Sequence, residues 1–189
     1  MSRKIESLVI LIGLTLLFLI SGSDATAQTQ VPASGKILAA AYAKATREKK
    51  NVIILFHASW CGWCRKMDSA LNDQACKAFF ENNYVITHLT VDESKDKKFL
   101  ENKGADLIRK KYHGEKAGLP FWIIMDKNGK LLGDSFIRKE GQPENSPGEN
   151  IGCPAADNEV EAFTRLLKKT SRLTDEQLAV IAERFKKNS

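Results

Sequence analysis

The sequence is poor in the residues that bind metals, with four cysteines and three histidines among 189 residues. Cys76 and Cys153 stand singly, and His57, His88 and His113 lack the spacing of zinc ligands. The chain also has no G-x-G-x-x-G fingerprint for a nicotinamide dinucleotide. We therefore predict neither a metal site nor a bound cofactor.

No hydrophobic run is long enough to predict a membrane span. The N-terminal run Leu8–Ile20 has thirteen residues, which rise about 20 Å as a helix, whereas a bilayer core is about 30 Å thick. Two basic residues precede the run, and Ala25-Thr-Ala27 follows it. This pattern predicts a signal peptide over residues 1–27 and a periplasmic protein, with a retained anchor as the alternative. No cysteine lies near the cleavage site, so a lipoprotein is not expected.

Strong charge of one sign is also missing, since the net charge is only +6. The basic residues form short runs, such as 47–50 and 109–111, that are typical of solvated helix faces. The basic residues form no single continuous basic segment, and an exported protein is in a different compartment from the chromosomal DNA. We therefore do not expect a nucleic-acid partner.

The remaining residues, 28–189, are predicted to form one domain with a core over about 34–170 and a C-terminal helix over 174–187. Ser34 is expected to cap a first helix, and residues 99–112 to form one long helix. The predicted strands cover 52–56, 84–91, 119–125 and 130–135, the last two joined by the Asn-Gly turn of Asp126–Gly129. Residues 138–156 are expected to form an irregular loop, and Thr174 to open the last helix with a capping box. Strand–helix alternation followed by a hairpin predicts an α/β fold with a central mixed sheet flanked by helices.

Two cysteines follow the first strand in the sequence FHASWCGWCRKM. The C-x-x-C spacing of Cys61 and Cys64 suits a redox couple, half of a metal site or a structural disulfide. A helix begins at this point, and its unpaired N–H groups and dipole favour a thiolate. Trp60 and Trp63 flank the pair and offer an apolar surface to a peptide. We therefore interpret Cys61 as an ionised, accessible nucleophile and the pair as catalytic.

This motif, together with GLPFWIIMDKNGKLLGDS about sixty residues later, resembles the thioredoxin superfamily, and within it exported bacterial thioredoxin-like proteins. The resemblance implies a thioredoxin-like fold in which Cys61 attacks and Cys64 resolves. It implies that Pro120 is a cis-proline facing the cysteines, with the Leu119 backbone free to pair with an extended substrate. Trp60, Gly62 and Trp63 are expected to complete the substrate surface.

The sequence departs from the family at the proton relay. Reductases of the family carry a buried Asp and a Lys at the positions of Leu55 and His88. His57 and His88 are candidates for tuning the cysteines in their place, although His57 is more readily interpreted as a residue that fills space.

The other two cysteines leave alternatives open. Cys76 is interpreted as a small buried residue or as the partner of Cys153 in a second disulfide, and Cys153 alternatively as a free thiol near the rim of the site that acts as an extra redox partner.

The sequence therefore predicts a periplasmic thiol–disulfide oxidoreductase whose only redox group is the Cys61–Cys64 couple. It is expected to act as a reductase of disulfide-containing clients, recharged by a membrane-bound electron donor. The alternatives are a disulfide oxidase or isomerase, and a non-catalytic module that binds peptides or acts as a chaperone. The identity of the clients and the oligomeric state do not follow from the sequence.

Overall fold

The computed structural model describes residues 31–188. The predicted signal peptide, residues 1–27, lies outside this part of the chain. Within the described part, no helix combines the length and the apolar character that crossing a membrane would need.

A four-stranded mixed sheet forms the centre of the fold, in the order β2-β1-β3-β4. Its strands are β1 (Asn51–His57), β2 (Tyr84–Thr90), β3 (Phe121–Met125) and β4 (Leu131–Asp134). Strands β1 and β2 are parallel, whereas β3 runs antiparallel to both β1 and β4. The predicted α/β class with a mixed sheet is confirmed.

The two central strands owe their position to continuous apolar runs. Residues 52–56 of β1 and all five residues of β3 are buried, because helices cover both faces of the sheet. The helices are α1 (Ser34–Glu48), α2 (Gly62–Leu71), α3 (Lys77–Asn83), α4 (Ala105–Lys111), α5 (Asp157–Thr170) and α6 (Asp175–Lys186).

Each face of the sheet has its own hydrophobic core. Ile53 and Leu55 pack with residues of α2, α3, α5 and α6, including Phe80, Phe163 and Phe185. The alternate residues of β1 pack on the other face with residues of α1 and α4. The period-two alternation of a strand thus divides one apolar run between two cores.

Two local predictions are wrong. The single helix over 99–112 is instead a 3₁₀-helix, Lys95–Leu100, followed by α4, because Gly104 has a left-handed φ of 86° that interrupts helical geometry. Ser34 does not cap α1: Ala33 is the N-cap residue. The Ser34 hydroxyl instead donates to the Lys103 carbonyl at 2.9 Å and ties α1 to the start of α4.

The C-terminal half agrees with the sequence in its main features. Thr174 accepts a hydrogen bond from the Gln177 backbone N–H, which forms the predicted capping box of α6. The 138–156 segment is mostly irregular, but within it β6 (Glu149–Asn150) pairs with β5 (Phe136–Ile137). This small sheet holds the segment beside the loop that precedes β3.

Candidate active site

A tight turn joins β1 to α2 and carries the cysteines. The Cys61 N–H donates to the Ala58 carbonyl at 3.1 Å, so Ser59 and Trp60 are the central residues of a four-residue turn. Helix α2 begins at Gly62, and Cys61 is its N-cap residue with an extended backbone. Because the buried strand ends one residue before this turn, the position of the cysteines is fixed by the sheet.

Cys61 and Cys64 form a disulfide with an S–S distance of 2.02 Å. The Cys61 Sγ also accepts a hydrogen bond from the Cys64 backbone N–H at 3.0 Å. The sulfur therefore occupies the place of an N-cap oxygen, where a helix stabilises negative charge. After reduction, this geometry favours ionisation of the Cys61 thiol.

The expectation of an accessible sulfur is wrong for this oxidised state. Cys61 is 2% exposed and Cys64 is 4% exposed, since Ala58 and Leu119 pack against them. The flanking tryptophans are the exposed residues, at 57% for Trp60 and 49% for Trp63. A partner that reaches the sulfurs must therefore move side chains as it docks.

The loop before β3 lies against the cysteine pair, as the resemblance implied. The Leu119–Pro120 peptide bond is cis, and Leu119 packs against both cysteines. The Asn150 side chain donates to the carbonyls of Gly118 and Pro120, at 2.8 and 3.2 Å, and fixes the loop. Within residues 31–188, the Leu119 backbone makes no hydrogen bond, which leaves it available to an extended peptide.

The surface around the disulfide is held by specific contacts. The Trp60 indole donates to the Asp92 backbone carbonyl at 2.7 Å, and Lys66 Nζ lies 4.4 Å from the centroid of the Trp63 ring. Gly62 is exposed, and an added Cβ would meet only the Arg65 side chain, at 3.8 Å. The two tryptophans are therefore positioned, whereas Gly62 leaves an open place between them.

The two candidate tuning histidines lie close together beside α2. His57 Nε2 is 3.1 Å from the Thr90 hydroxyl, and His88 Nε2 is 2.8 Å from Asp68 Oδ1. The two imidazole rings are 5.0 Å apart. Burial lowers the pKa of His57, and the neighbouring His88 lowers it further.

This histidine group lies where the resemblance implies that the usual proton relay is missing or replaced. His88 pairs in register with Leu55, and the resemblance places the Lys and Asp of the reductases at these two positions. Asp68 lies four residues after Cys64 in α2 and was not singled out from the sequence.

The second disulfide is not formed, because Cys76 and Cys153 are both free and buried. Cys76 lies at the start of α3 with its Sγ 4.0 Å from the Val180 carbonyl oxygen, whereas Cys153 Sγ lies 3.2 Å from the Asn188 side chain. Burial raises the pKa of Cys153 to about 12. The interpretation of Cys153 as an accessible thiol at the rim is therefore also wrong.

Two acidic residues at the site were missed in the sequence. Asp92 and Glu93 lie in the loop after β2, separated from its last residue by Val91, and bind the Ser59–Trp60 turn through the Asp92 carbonyl and the Glu93 carboxylate. Their place at the carboxyl end of a strand beside β1 was a usable signal, because such ends meet at one edge of the sheet. Among residues 31–188, no cluster of three or more His, Cys, Asp or Glu side chains is arranged to hold a metal ion.

Comparisons with known proteins agree with this arrangement. Residues 35–127 match a family model described as thioredoxin-like. No curated protein gives a significant match to the chain.

Several solved structures are similar to the chain. One is a disulphide isomerase from Xylella fastidiosa Temecula1, with 21% identity over 53% of this chain and 71% of that one, and a TM-score of 0.44. Another is the C-terminal domain of Neisseria meningitidis DsbD in the oxidised form, with 19% identity over 71% and 97% of the chains and a TM-score of 0.41. A protein titled DsbH oxidoreductase is 19% identical over 74% and 84%, with a TM-score of 0.41.

Proposed function

Since this chain is a member of the thioredoxin-like family through its residues 35–127, we propose that it is a thiol–disulfide oxidoreductase that reduces disulfides in client proteins outside the cytoplasm. The observation that carries the proposal is the Cys61–Cys64 disulfide at the start of α2, with the Leu119–Pro120 loop packed against it.

The reaction begins from the dithiol form. The Cys61 thiolate attacks one sulfur of a client disulfide, which releases the other client sulfur as a thiolate and forms a mixed disulfide. Cys64 then loses its proton and attacks the Cys61 sulfur, which frees the second client thiolate. The client gains two electrons, and the enzyme is left with the Cys61–Cys64 disulfide.

The loop before β3 supplies a means of holding the client. The Leu119 N–H and C=O can pair with an extended client backbone, as an added strand does. Trp60 and Trp63 provide the exposed apolar surface beside that position. Leu119 packs against the cluster formed by Ala58 and the two cysteines, so a client bound at this position lies beside the disulfide.

A dithiol donor must restore the reduced enzyme after each turnover. The chain carries no nicotinamide fingerprint, so we place a membrane-bound electron carrier in this role. The motif of residues 1–27 supports export, and the N-terminal residue of the protein recovered from the periplasm tests it, with Gln28 expected.

Trapping tests the exchange reaction directly. In Cys64→Ser the mixed disulfide on Cys61 cannot be resolved, so clients should accumulate as adducts that a reducing agent releases. The double variant Cys61→Ser/Cys64→Ser is the matched control and should trap nothing. Absence of adducts from Cys64→Ser in cells would contradict the proposal.

A glutathione titration tests the direction of electron flow. We expect a reduction potential well below that of a strong oxidant, and a value above about −150 mV would instead indicate an oxidase.

Burial of Cys61 favours one rival function, a peptide-binding module whose disulfide is structural. Alkylation of the reduced protein with iodoacetamide at several pH values separates the two. A Cys61 thiol that titrates near 7 or below supports exchange, whereas one near the ordinary value of about 8.5 supports the binding module.

A further inference from the structure

Three hydrogen bonds connect the loop after β2 to the two residues that precede Cys61. The Ser59 N–H donates to Glu93 Oε1 at 2.5 Å, and the Ser59 hydroxyl donates to Glu93 Oε2 at 2.7 Å. The Trp60 indole donates to the Asp92 carbonyl at 2.7 Å. Both oxygens of the Glu93 carboxylate are thus used to hold the turn that carries the attacking cysteine.

The two neighbouring acidic side chains differ in how their charge is balanced. Asp92 is exposed, and Arg109 binds it through two nitrogens, at 2.6 and 2.9 Å. Glu93 is 4% exposed. No lysine, arginine or histidine of residues 31–188 forms an ion pair with it. Glu93 is therefore a buried carboxylate that accepts two hydrogen bonds from Ser59 but has no cation paired with its negative charge within residues 31–188.

The Glu93 carboxylate is hydrogen-bonded to a residue two positions before the reactive cysteine. Ser59 is a central residue of the turn closed by the hydrogen bond from the Cys61 N–H to the Ala58 carbonyl. The Glu93 carboxylate therefore contacts the same four-residue turn, 58–61, that ends at Cys61. Little water lies between buried groups, so the charge acts on the sulfur more strongly than it would in solvent.

We propose that Glu93 is a positioning residue that holds a negative charge beside Cys61 and thereby favours the disulfide over the dithiol. The disulfide is uncharged, whereas the reduced state is stabilised when Cys61 ionises. A fixed negative charge disfavours the thiolate and leaves the disulfide unaffected, so it lowers the reduction potential. It opposes the N–H of Cys64 and the helix dipole, which favour the thiolate.

The inference rests on the proposed function, because a low potential is what a reductase needs. The charge of Glu93, a residue outside the cysteine motif, would explain why electrons flow from this protein to its clients.

Other charged groups near Glu93 have partners of their own. Glu101 accepts a hydrogen bond from the Glu93 backbone N–H at 2.8 Å and binds Lys98 at 2.7 Å. His57 is near enough for Glu93 to raise its pKa, although burial lowers that pKa by more. Both groups persist when Glu93 alone is changed.

One further cation lies on α2. Arg65 donates to the Ser59 carbonyl at 3.1 Å and is exposed to solvent. It provides a screened positive charge on the side of the turn that faces water, so it also persists in a Glu93 variant.

The test is the redox equilibrium of Glu93→Gln with glutathione. Glutamine keeps the shape of the side chain and can still accept a hydrogen bond from Ser59, but it carries no charge. We expect the equilibrium to shift about tenfold toward the dithiol, which raises the potential by about 30 mV. The pH at which the Cys61 thiolate appears, followed by its absorbance near 240 nm, should fall.

Two control variants separate charge from position. Ser59→Ala removes one hydrogen bond and keeps the charge, and Glu101→Gln removes a carboxylate that lies farther from the turn and is paired with Lys98. Each should move the equilibrium less than about twofold. If Glu93→Gln fails to fold, Glu93→Met fills the same buried volume without charge and is measured instead.

The outcomes differ for the inference and for the function on which it rests. An unchanged equilibrium in a folded Glu93 variant, or an equal shift in Glu101→Gln, overturns the role of Glu93. A wild-type potential above about −150 mV overturns the reductase direction, whatever the variants show. A rise in potential confined to Glu93→Gln and Glu93→Met supports the role of Glu93.

Discussion

The starts of α2 and α3 form an internal comparison, because a buried cysteine is the N-cap residue of each helix. Cys61 is 2% exposed and Cys76 is 0% exposed. Cys61 has an extended backbone with φ −73° and ψ 105°, and its sulfur accepts the N–H of Cys64. Cys76 has a helical backbone with φ −116° and ψ −25°, and its side chain accepts no N–H of α3.

The difference shows that neither burial nor position at a helix start makes a cysteine reactive by itself. At α2 the sulfur faces the unpaired N–H groups, which stabilise a thiolate. At α3 the sulfur faces a carbonyl oxygen of α6 in an apolar core, and burial raises the pKa of the thiol, with a smaller effect from Asp73. The backbone of the N-cap residue therefore decides which cysteine can act as a nucleophile.

The largest expected effect is on exchange itself. Cys61→Ser removes the attacking sulfur, so the rate at which the protein, treated with dithiothreitol, reduces a disulfide-linked peptide should fall about 10³-fold or more. Cys76→Ala is the matched control, since it changes the other N-cap cysteine, and we expect the wild-type rate. Comparable losses in both variants would mean that the two helix starts do not differ as described.

The next effect concerns the thiols in the reduced protein. The pKa of Cys153 is about 12, so only about one molecule in 10⁴ carries a Cys153 thiolate at pH 8, and burial blocks the reagent as well. We expect iodoacetamide to modify Cys61 at least about 10³-fold faster than Cys76 or Cys153, as measured by mass spectrometry of the digested protein.

Unfolding provides the control for this labelling experiment. In concentrated urea all four cysteines of the reduced chain should react at similar rates, because neither helix start nor core remains. Rapid native labelling of Cys153 would show that the 5% exposure of this residue understates its access to solvent.

The same comparison shows what the sequence could and could not predict. The apolar runs of β1 and β3 gave the central strands, and the Asn-Gly turn gave the antiparallel pairing of β3 and β4. These features depend on near neighbours in the chain. The sequence did not predict the break in the 99–112 helix. Gly104 takes a left-handed backbone there, and the hydrophobic pattern alone does not reveal that conformation.

The site was predicted as far as its motif extends. Cys61, Cys64 and the cis peptide before Pro120 followed from the resemblance. The burial of Cys61 did not, since it depends on how Ala58 and Leu119 pack around the two cysteines in the folded protein. Glu93 was missed because Asp92 takes a left-handed backbone with φ 53° in the loop after β2, and only the fold shows that the Glu93 side chain reaches Ser59.

A smaller effect is expected on stability at α3. Cys76→Ala should lower the free energy of unfolding by about 1 kcal/mol through the lost packing. Cys76→Ser should cost about 1 kcal/mol more, because the hydroxyl would be buried with its nearest partner, the Val180 carbonyl, 4.0 Å from the present sulfur.

Urea unfolding followed by circular dichroism measures both variants against the wild type. The order of the two variants is the informative result. A serine variant as stable as the alanine variant would show that the hydroxyl finds a partner, and that the environment of Cys76 is less apolar than its complete burial indicates.

The smallest effect is the pH dependence of stability contributed by His57, which is the last residue of β1 and stands four positions before Cys61. Burial lowers the pKa of His57 in the folded protein, and His88 lowers it further, so below about pH 6.5 the unfolded chain binds more protons than the folded one. The wild type should therefore lose stability as the pH falls from 7 to 5.5. His57→Gln keeps a polar group near Thr90 but cannot be protonated, and its urea midpoint should fall less over this range.

At pH 8 the imidazole is neutral in both states, so the midpoints measured there provide the baseline for each protein. Parallel profiles for the two proteins would mean that His57 is as well solvated as in the unfolded chain, and that the buried environment of the disulfide does not extend to the end of β1.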